Sequence, residues 1–317
     1  MSKYPQIDLD KVQRYSISKR YSKVASDSLA RPHKPGSSFR DFFASLSDIL
    51  IARDLREFVL HVADARRQGK PVIFMMGAHV IKVGLSPIVI DLMEQNIITC
   101  LAMNGAGIIH DTELTMFGQT SEEVADGLAD GTFGMVRETG TLINGMINEG
   151  HRQELGLGEV VGKILNEKNP PGLGHSLLAN AYRLNVPATV HVAVGTDIIH
   201  QHPEADGEAI GATSFRDFRI FAAHVSHLND GGVVINFGSN VVMPEVFLKA
   251  LTIARNIHGP VSDFYTANFD MLQHYRPRVN VVQRPTLTGG KGYSFTGHHE
   301  IMLPLFAAAV KEELDSK

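Results

Sequence analysis

Six histidines, His79, His110, His200, His202, His298 and His299, fall in short segments rich in glycine and small residues. Asp111, Asp197, Glu204, Asp206 and Glu300 lie beside them. Imidazole titrates near neutrality, so such a group could carry protons to and from a polar substrate. Imidazoles converging with carboxylates could equally hold a divalent ion. The segments read GAHVIKVG (77–84), NGAGIIHD (104–111), GTDIIHQHPEADGE (195–208), NFGSNVV (236–242) and TANFD (266–270), followed by TLTGGKGYSFTGHHE (286–300). Their small residues let a ligand approach the backbone, and a helix that starts there offers free N–H groups to an anion. No histidine spacing matches a zinc signature, no GxGxxG follows the first apolar run, and no GxxxxGK[ST] occurs. GGKG (289–292) lacks the phosphate-loop spacing and reads as a glycine loop with a solvated lysine.

The elements that must position these segments alternate. Continuous apolar runs at PVIFMMG (71–77), IITCLAM (97–103), ATVHVAVG (188–195) and GVVINFG (232–238) suit strands buried on both faces. VSDFYTAN (261–268) and RVNVVQRP (278–285) complete six expected strands. Between them lie stretches with helical spacing, and HHEIMLPLFAAAVKEEL closes the chain as a helix. The pattern predicts an α/β fold: a mostly parallel, Rossmann-like sheet with helices on both faces. In such sheets ligands bind beyond the carboxyl ends of the strands, where the histidine segments fall. Residues 1–38 are polar, mildly basic and broken by Pro and Gly, so they read as an arm, with 39–317 as one domain.

Composition narrows the function classes. The net charge of −4 offers no basic face for nucleic acid. No run approaches the roughly 18 apolar residues of a membrane span, and the first residues lack a signal-peptide core, so a cytoplasmic protein is expected. A single cysteine, Cys100, excludes an intramolecular disulfide and reads as a small buried hydrophobe. His61, His151, His224 and His227 lie in helical stretches and read as surface or satisfied core residues.

Taken in order from about residue 71, the segments resemble deoxyhypusine synthase, an NAD-dependent family that transfers an aminobutyl group from spermidine to a protein lysine. GAHVIKVGLSPIVIDLMEQNIIT is similar to a family stretch that ends in Ser-Gly-Leu and carries an NAD-contacting turn; Gly84 and Leu85 match it. NGAGIIHD stands where the family has Thr-Ala-Gly-Gly-x-Glu-Glu-Asp. The resemblance therefore implies that Asn104, Gly105, Ala106 and Gly107 line the dinucleotide, while His110 replaces a substrate-contacting glutamate. VAVGTD resembles Ala-Leu-Thr-Asp and places Asp197 near the cofactor ribose. NFGSNVV stands for Gly-Gly-Gly-Val-Val, which adds Gly238, Ser239 and Asn240. TANFD resembles Thr-Ala-Gln-Glu-Phe-Asp and adds Asp270.

The departures concern the substrate side. The family's Trp-Gly-Lys loop has no counterpart, since the chain has no tryptophan, and Lys291 is the nearest candidate for the catalytic lysine. Pro244 stands where the family has a substrate histidine, and Gly297-His298-His299 replaces an aspartate turn. The resemblance implies a divergent enzyme that uses NAD on a small amine or other polar substrate, rather than a true deoxyhypusine synthase. His110, His202, His298, His299 and Lys291 are its expected catalytic residues. The alternatives are a metal-dependent hydrolase or lyase, with an ion on His110, His200, His202, His298 and His299, and a nucleotide-binding protein without catalysis. The family's assembly implies a homotetramer or homodimer.

Overall fold

The computed structural model describes residues 2–315 and divides the chain at Arg53/Asp54 into two compact units. The first has three isolated 3-10 turns (Leu9–Lys11, Ile17–Lys19, Ser26–Ser28) and helix α1 (Phe39–Ser45). The Ser38 side chain caps the N–H of Asp41 while the Asp41 carboxylate accepts from Ser38, which starts α1 where the chain leaves Pro35-Gly36. Backbone bonds from Arg31 to Ser45 and from Asp48 to Ser28 fold α1 back on its own approach. The N-terminal unit thus extends past residue 38 and includes α1, which the sequence pattern assigned to the domain.

The second unit holds a single parallel sheet of six strands: β1 (Val72–Met76), β2 (Cys100–Asn104), β3 (Ala188–His191), β4 (Val233–Phe237), β5 (Phe264–Asp270) and β6 (Gly290–Thr296). The helices are α2 (Leu50–Arg67, of which Asp54 onward lies in this unit), α3 (His79–Lys82) and α4 (Ser86–Glu94) before β2. Five more, α5 (Gly105–Phe117), α6 (Val124–Asp130), α7 (Arg137–Arg152), α8 (Leu157–Lys168) and α9 (Leu177–Arg183), connect β2 to β3. Then come α10 (Gly207–Val225), α11 (Val242–His258), the short α12 (Tyr275–Pro277) and the closing α13 (His299–Asp315). Every residue of β1 and β4 is buried, as continuous apolar runs demand when both sheet faces are covered. No helix among the described residues is long and apolar enough to cross a membrane.

Alternation along the strands splits the core. Ile73 and Met75 face a layer built by Phe221, Met243, Phe247 and Leu251 from α10 and α11. Phe74 turns the other way and stacks on Phe237. Phe237, Phe269 and Phe295 stand side by side on β4, β5 and β6, with ring centroids 4.3 and 4.6 Å apart. Phe58 of α2 and Phe306 of α13 pack over Phe269. Burying one such ring is worth about 2–3 kcal/mol, so this ladder fixes the height at which β4, β5 and β6 end. One step further, Gly238 leaves β4, while Asp270 and Thr296 are the last residues of β5 and β6.

Two local expectations are corrected. RVNVVQRP is not a strand: Arg278–Gln283 is π-helical, followed by a 3-10 turn at Pro285–Thr288. The sixth strand lies instead in GGKGYSFT, inside the expected glycine loop. Its glycines are there because of close approach, since a Cβ on Gly292 would sit 1.9 Å from the Val282 carbonyl oxygen and one on Gly290 would sit 1.8 Å from that of Phe264. Glycine hides a strand from propensity, while Tyr293 and Phe295 still alternate inward.

Candidate functional site at the switch point

The strand order is β3-β2-β1-β4-β5-β6, so chain progression reverses between β1 and β4. At such a reversal the connecting loops part, and in doubly wound sheets the crevice outside the carboxyl ends is where ligands bind. Just beyond it, β1 and β4 close so tightly that a Cβ on Gly77 would lie 2.5 Å from the Gly238 carbonyl oxygen. Gly238 has φ +66°, and a Cβ there would meet the His299 ring at 2.3 Å. Two glycines at these positions let the imidazole reach the end of the sheet.

His299 opens α13 and is 3% exposed. Its ring is edge-on to Phe237 (5.8 Å) and to His79 (5.5 Å), the latter exposed at the start of α3. Nε2 is 4.0 Å from Oδ1 of Asp270. Neither ring nitrogen makes a hydrogen bond, and Oδ2 of Asp270 is also buried without a partner. Burial holds the His299 imidazole below its ordinary pKa, against the pull of Asp270. The result is a neutral base beside a carboxylate that would stabilise its protonated form.

The loops are tied down by a chain of buried amides. Asn236 donates to Oδ1 of Asn268 (2.7 Å) and to the Ser239 carbonyl (3.0 Å). Asn268 donates to Gln273, which donates to the carbonyl of Phe295 (3.1 Å). The repeated Asn-Phe step in VINFG and TANFD was the sequence signal for this chain, and pattern reading passed over it. His79, one of the six strand-end histidines, stands outside the expected catalytic set, although its position beside His299 belongs to this site.

Around the crevice, the expected cofactor residues divide. Asn104 occupies the N-cap of α5 without making a cap bond, and its Oδ1 is buried and unpaired. The Asp197 carboxylate covers Gly105, its Oδ2 only 2.0 Å from where a Cβ would stand. That oxygen has no hydrogen bond, and burial raises the Asp197 carboxyl to about 6. Ala106 follows in the first turn of α5, and Oδ1 of Asn240 is a further buried, unpaired acceptor. By contrast, Gly107 is packed on the Met103 side chain, and the Ser239 hydroxyl accepts from the N–H of Met243 at the start of α11. Gly84 (φ +79°) opens on a cavity of about 560 Å³ lined by Leu114, Phe117, Pro171 and His175.

The histidines do not converge. His110 lies 2.7 Å from the Thr120 hydroxyl, which donates to Glu113 and so accepts from Nδ1–H. His202 reaches the Gly134 carbonyl (2.8 Å), and its ring fills the space beside Gly140. Nδ1 of His200 accepts from the N–H groups of Gly195 and Asp197 and closes its own turn. His298 points outward, 3.7 Å from Glu300. Among the described residues no group of three or more His, Cys, Asp or Glu is gathered to hold a metal ion, so the five-histidine metal centre is not formed. Asp111, considered as a ligand or base, is buried and consumed in capping α9: it accepts from the Ser176 hydroxyl and the N–H groups of Leu177 and Leu178.

Lys291 stands near the amino end of β6, opposite to the strand ends that form the crevice. It pairs with Asp54 (3.1 Å) and Glu57 (2.6 Å) of α2 and lies over the Tyr293 ring. This placement sets Lys291 apart from the other residues of the expected catalytic set.

No family model matches the chain, and no curated protein does. Solved structures do. A protein from Entamoeba histolytica assigned as a deoxyhypusine synthase aligns at TM-score 0.54 and 10% identity over 89% of this chain and 95% of its own. The fold is deoxyhypusine-synthase-like. AgrE, in its ternary complex with ornithine and NAD+, aligns at TM-score 0.55 and 14% identity over 89% of this chain. ArgZ, an arginine dihydrolase from the ornithine–ammonia cycle in cyanobacteria, aligns at TM-score 0.51 and 13% identity over 84%. This chain spans 34% of the length of either. At such identities the likeness is one of architecture.

Proposed function

We propose that this deoxyhypusine-synthase-like chain binds a nicotinamide dinucleotide in the β1/β4 crevice and acts there on a small amine-bearing or other polar substrate. One observation carries the reading: both ring nitrogens of His299 and Oδ2 of Asp270 lie buried without a hydrogen-bond partner at the switch point. A pair of buried titratable groups left unpaired is costly unless a ligand completes it. AgrE, which shares the fold, holds NAD+ and ornithine, and the sequence resemblance points to the same cofactor.

The residues fit a dinucleotide. The unpaired oxygens of Asn104, Asn240 and Asp197 are acceptors suited to ribose hydroxyls, and the first turn of α5, which no side chain caps, has N–H groups suited to phosphate. The cofactor, when bound, supplies a hydride acceptor. The chain supplies the proton handling: neutral His299 takes a proton at a ring nitrogen from the substrate's amine or hydroxyl, and Asp270 holds the imidazolium that results. His79, exposed beside the ring, faces solvent and passes the proton out. The absent Trp-Gly-Lys loop and the remote Lys291 support a reaction other than aminobutyl transfer to a protein lysine.

The test is thermal unfolding with and without NAD+ and NADH, followed by titration of NADH fluorescence. A ligand at about 100 times its Kd adds roughly 2.7 kcal/mol, a shift of several degrees for a chain of this size. His299→Asn is expected to keep dinucleotide affinity within about threefold and to abolish substrate-dependent reduction of NAD+. No shift with either nucleotide would overturn the reading.

A further inference from the structure

Residues 2–38 combine charge and exposed apolar surface in a way that the site does not use. Eight cations (Lys3, Lys11, Arg14, Lys19, Arg20, Lys23, Arg31, Lys34) face three carboxylates (Asp8, Asp10, Asp27), a net charge of +5, so residues 39–317 carry −9 of the chain's −4 total. Their three 3-10 turns contain no buried residue. Ile7 is 87% exposed, Tyr21 89%, Ile17 73% and Tyr4 70%. Large apolar groups recurring along a basic segment, all in solvent, mark a surface awaiting a partner.

The complementary surface is on the same chain. Between Gly118 and Val136 there are four carboxylates, Glu122, Glu123, Asp126 and Asp130, and no lysine or arginine. α6, at the centre of this stretch, buries none of its residues. Val124 and Leu128, four apart on one helix face, are exposed, as are Met135 and Val136. Next to them a cavity of about 370 Å³ is lined by Glu113, Glu122 and Glu138 together with Phe117 and Val136. An acidic rim over apolar walls is the shape that receives a lysine or arginine with its aliphatic stem, or a tyrosine.

We infer that the basic arm of one copy docks on the acidic α6 segment of a second copy. Opposite charge selects the arm as the occupant of the α6 surface, and an arm folded on its own chain's α6 segment, read as a monomer, is an outcome that overturns the inference. A two-fold arrangement exchanges two arms between two α6 surfaces, a self-complementary interface that closes at the dimer. Opposite charge steers the encounter, and the tyrosines and isoleucines hold the complex once formed. The inference is independent of the dinucleotide reading and of the crevice.

The experiment is sedimentation equilibrium of the full chain over a dilution series, at low and high salt, on four proteins. These are wild type, the arm variant Lys19→Glu/Lys23→Glu, the α6 variant Glu123→Lys/Asp126→Lys, and the combination of all four substitutions. Wild type is expected to dimerise with an affinity that salt weakens. Each charge reversal is expected to weaken it at least tenfold, and the combination to return to within about threefold of wild type. The four side chains are exposed, and unchanged thermal unfolding confirms that each variant folds. A wild type that stays monomeric at micromolar concentration overturns the inference. So does a dimer indifferent to both reversals, which would assign the arm to another partner such as an anionic surface. A combination weaker than either variant also overturns it.

Discussion

Replacing Gly238 by alanine tests the geometry of the site most directly. Gly238 has φ +66°, a left-handed conformation that costs an L residue about 1–2 kcal/mol. The new methyl would also lie 2.3 Å from one ring carbon of His299 and 3.1 Å from Nε2. That ring is hemmed in by Phe237 and His79, so relief requires shifting packed groups, about 1–3 kcal/mol for an overpacked core. The expected loss for Gly238→Ala is therefore about 2–5 kcal/mol, a large part of the 5–15 kcal/mol that holds a typical protein folded. Urea unfolding measures it, and a double-mutant cycle separates its two parts. In a His299→Ala background the obstacle is gone, and only the backbone cost of about 1–2 kcal/mol should remain. A Gly238→Ala cost that is the same in both backgrounds would refute the placement of the ring against Gly238. Because the methyl displaces His299, substrate-dependent reduction of NAD+ should be lost while NADH affinity stays within about threefold, as for His299→Asn.

Other substitutions probe other parts. Asp217 is fully buried, accepts from the N–H groups of Gly158 and Val190, and is raised by burial to about 7 from an ordinary 3.8. Between those values the folded chain holds a proton that the unfolded chain has lost, so its contribution to stability declines as pH rises through the window, by at most about 4 kcal/mol. Asp217→Asn lacks this decline, so unfolding free energies at pH 5 and pH 8 should show the variant gaining on wild type; parallel curves would disprove the raised carboxyl. Lys291→Ala removes two partly exposed ion pairs and should cost no more than about 1 kcal/mol in chemical denaturation. The same variant should bind NADH as wild type does, and a large loss in titration would return Lys291 to the active centre. Asp111→Ala strips the buried caps of α9 and should lower stability by about 2–4 kcal/mol in the same denaturation assay.

The sheet was legible because its central strands carry an unambiguous signal. VIFMM is apolar throughout and VVINF is apolar but for Asn236, and a strand covered on both faces suits that in five residues. β6 was illegible because Gly290 and Gly292 answer to neighbouring carbonyls rather than to strand propensity, and neighbours are invisible along the chain. RVNVVQRP misled for the related reason that Val279 and Val281 are buried by a π-helical turn as well as they would be by a strand.

The candidate site divides the same way. Composition alone put histidines and carboxylates at strand ends and glycines among them, and a doubly wound sheet brings its strand ends to one edge. Which of those residues meet was a tertiary decision. His298 and His299 are neighbours in the chain, yet the start of α13 turns His298 to solvent and His299 into the crevice. Asp111 and Asp270 both belong to segments that the sequence pattern put at strand ends, but the first lies within α5 and is spent on the α9 N-terminus, whereas the second ends β5 with its Oδ2 left without a partner. Residue type and spacing determine what a side chain can do. Packing decides whether its hydrogen bonds are satisfied, and only the unsatisfied ones remain available for a ligand.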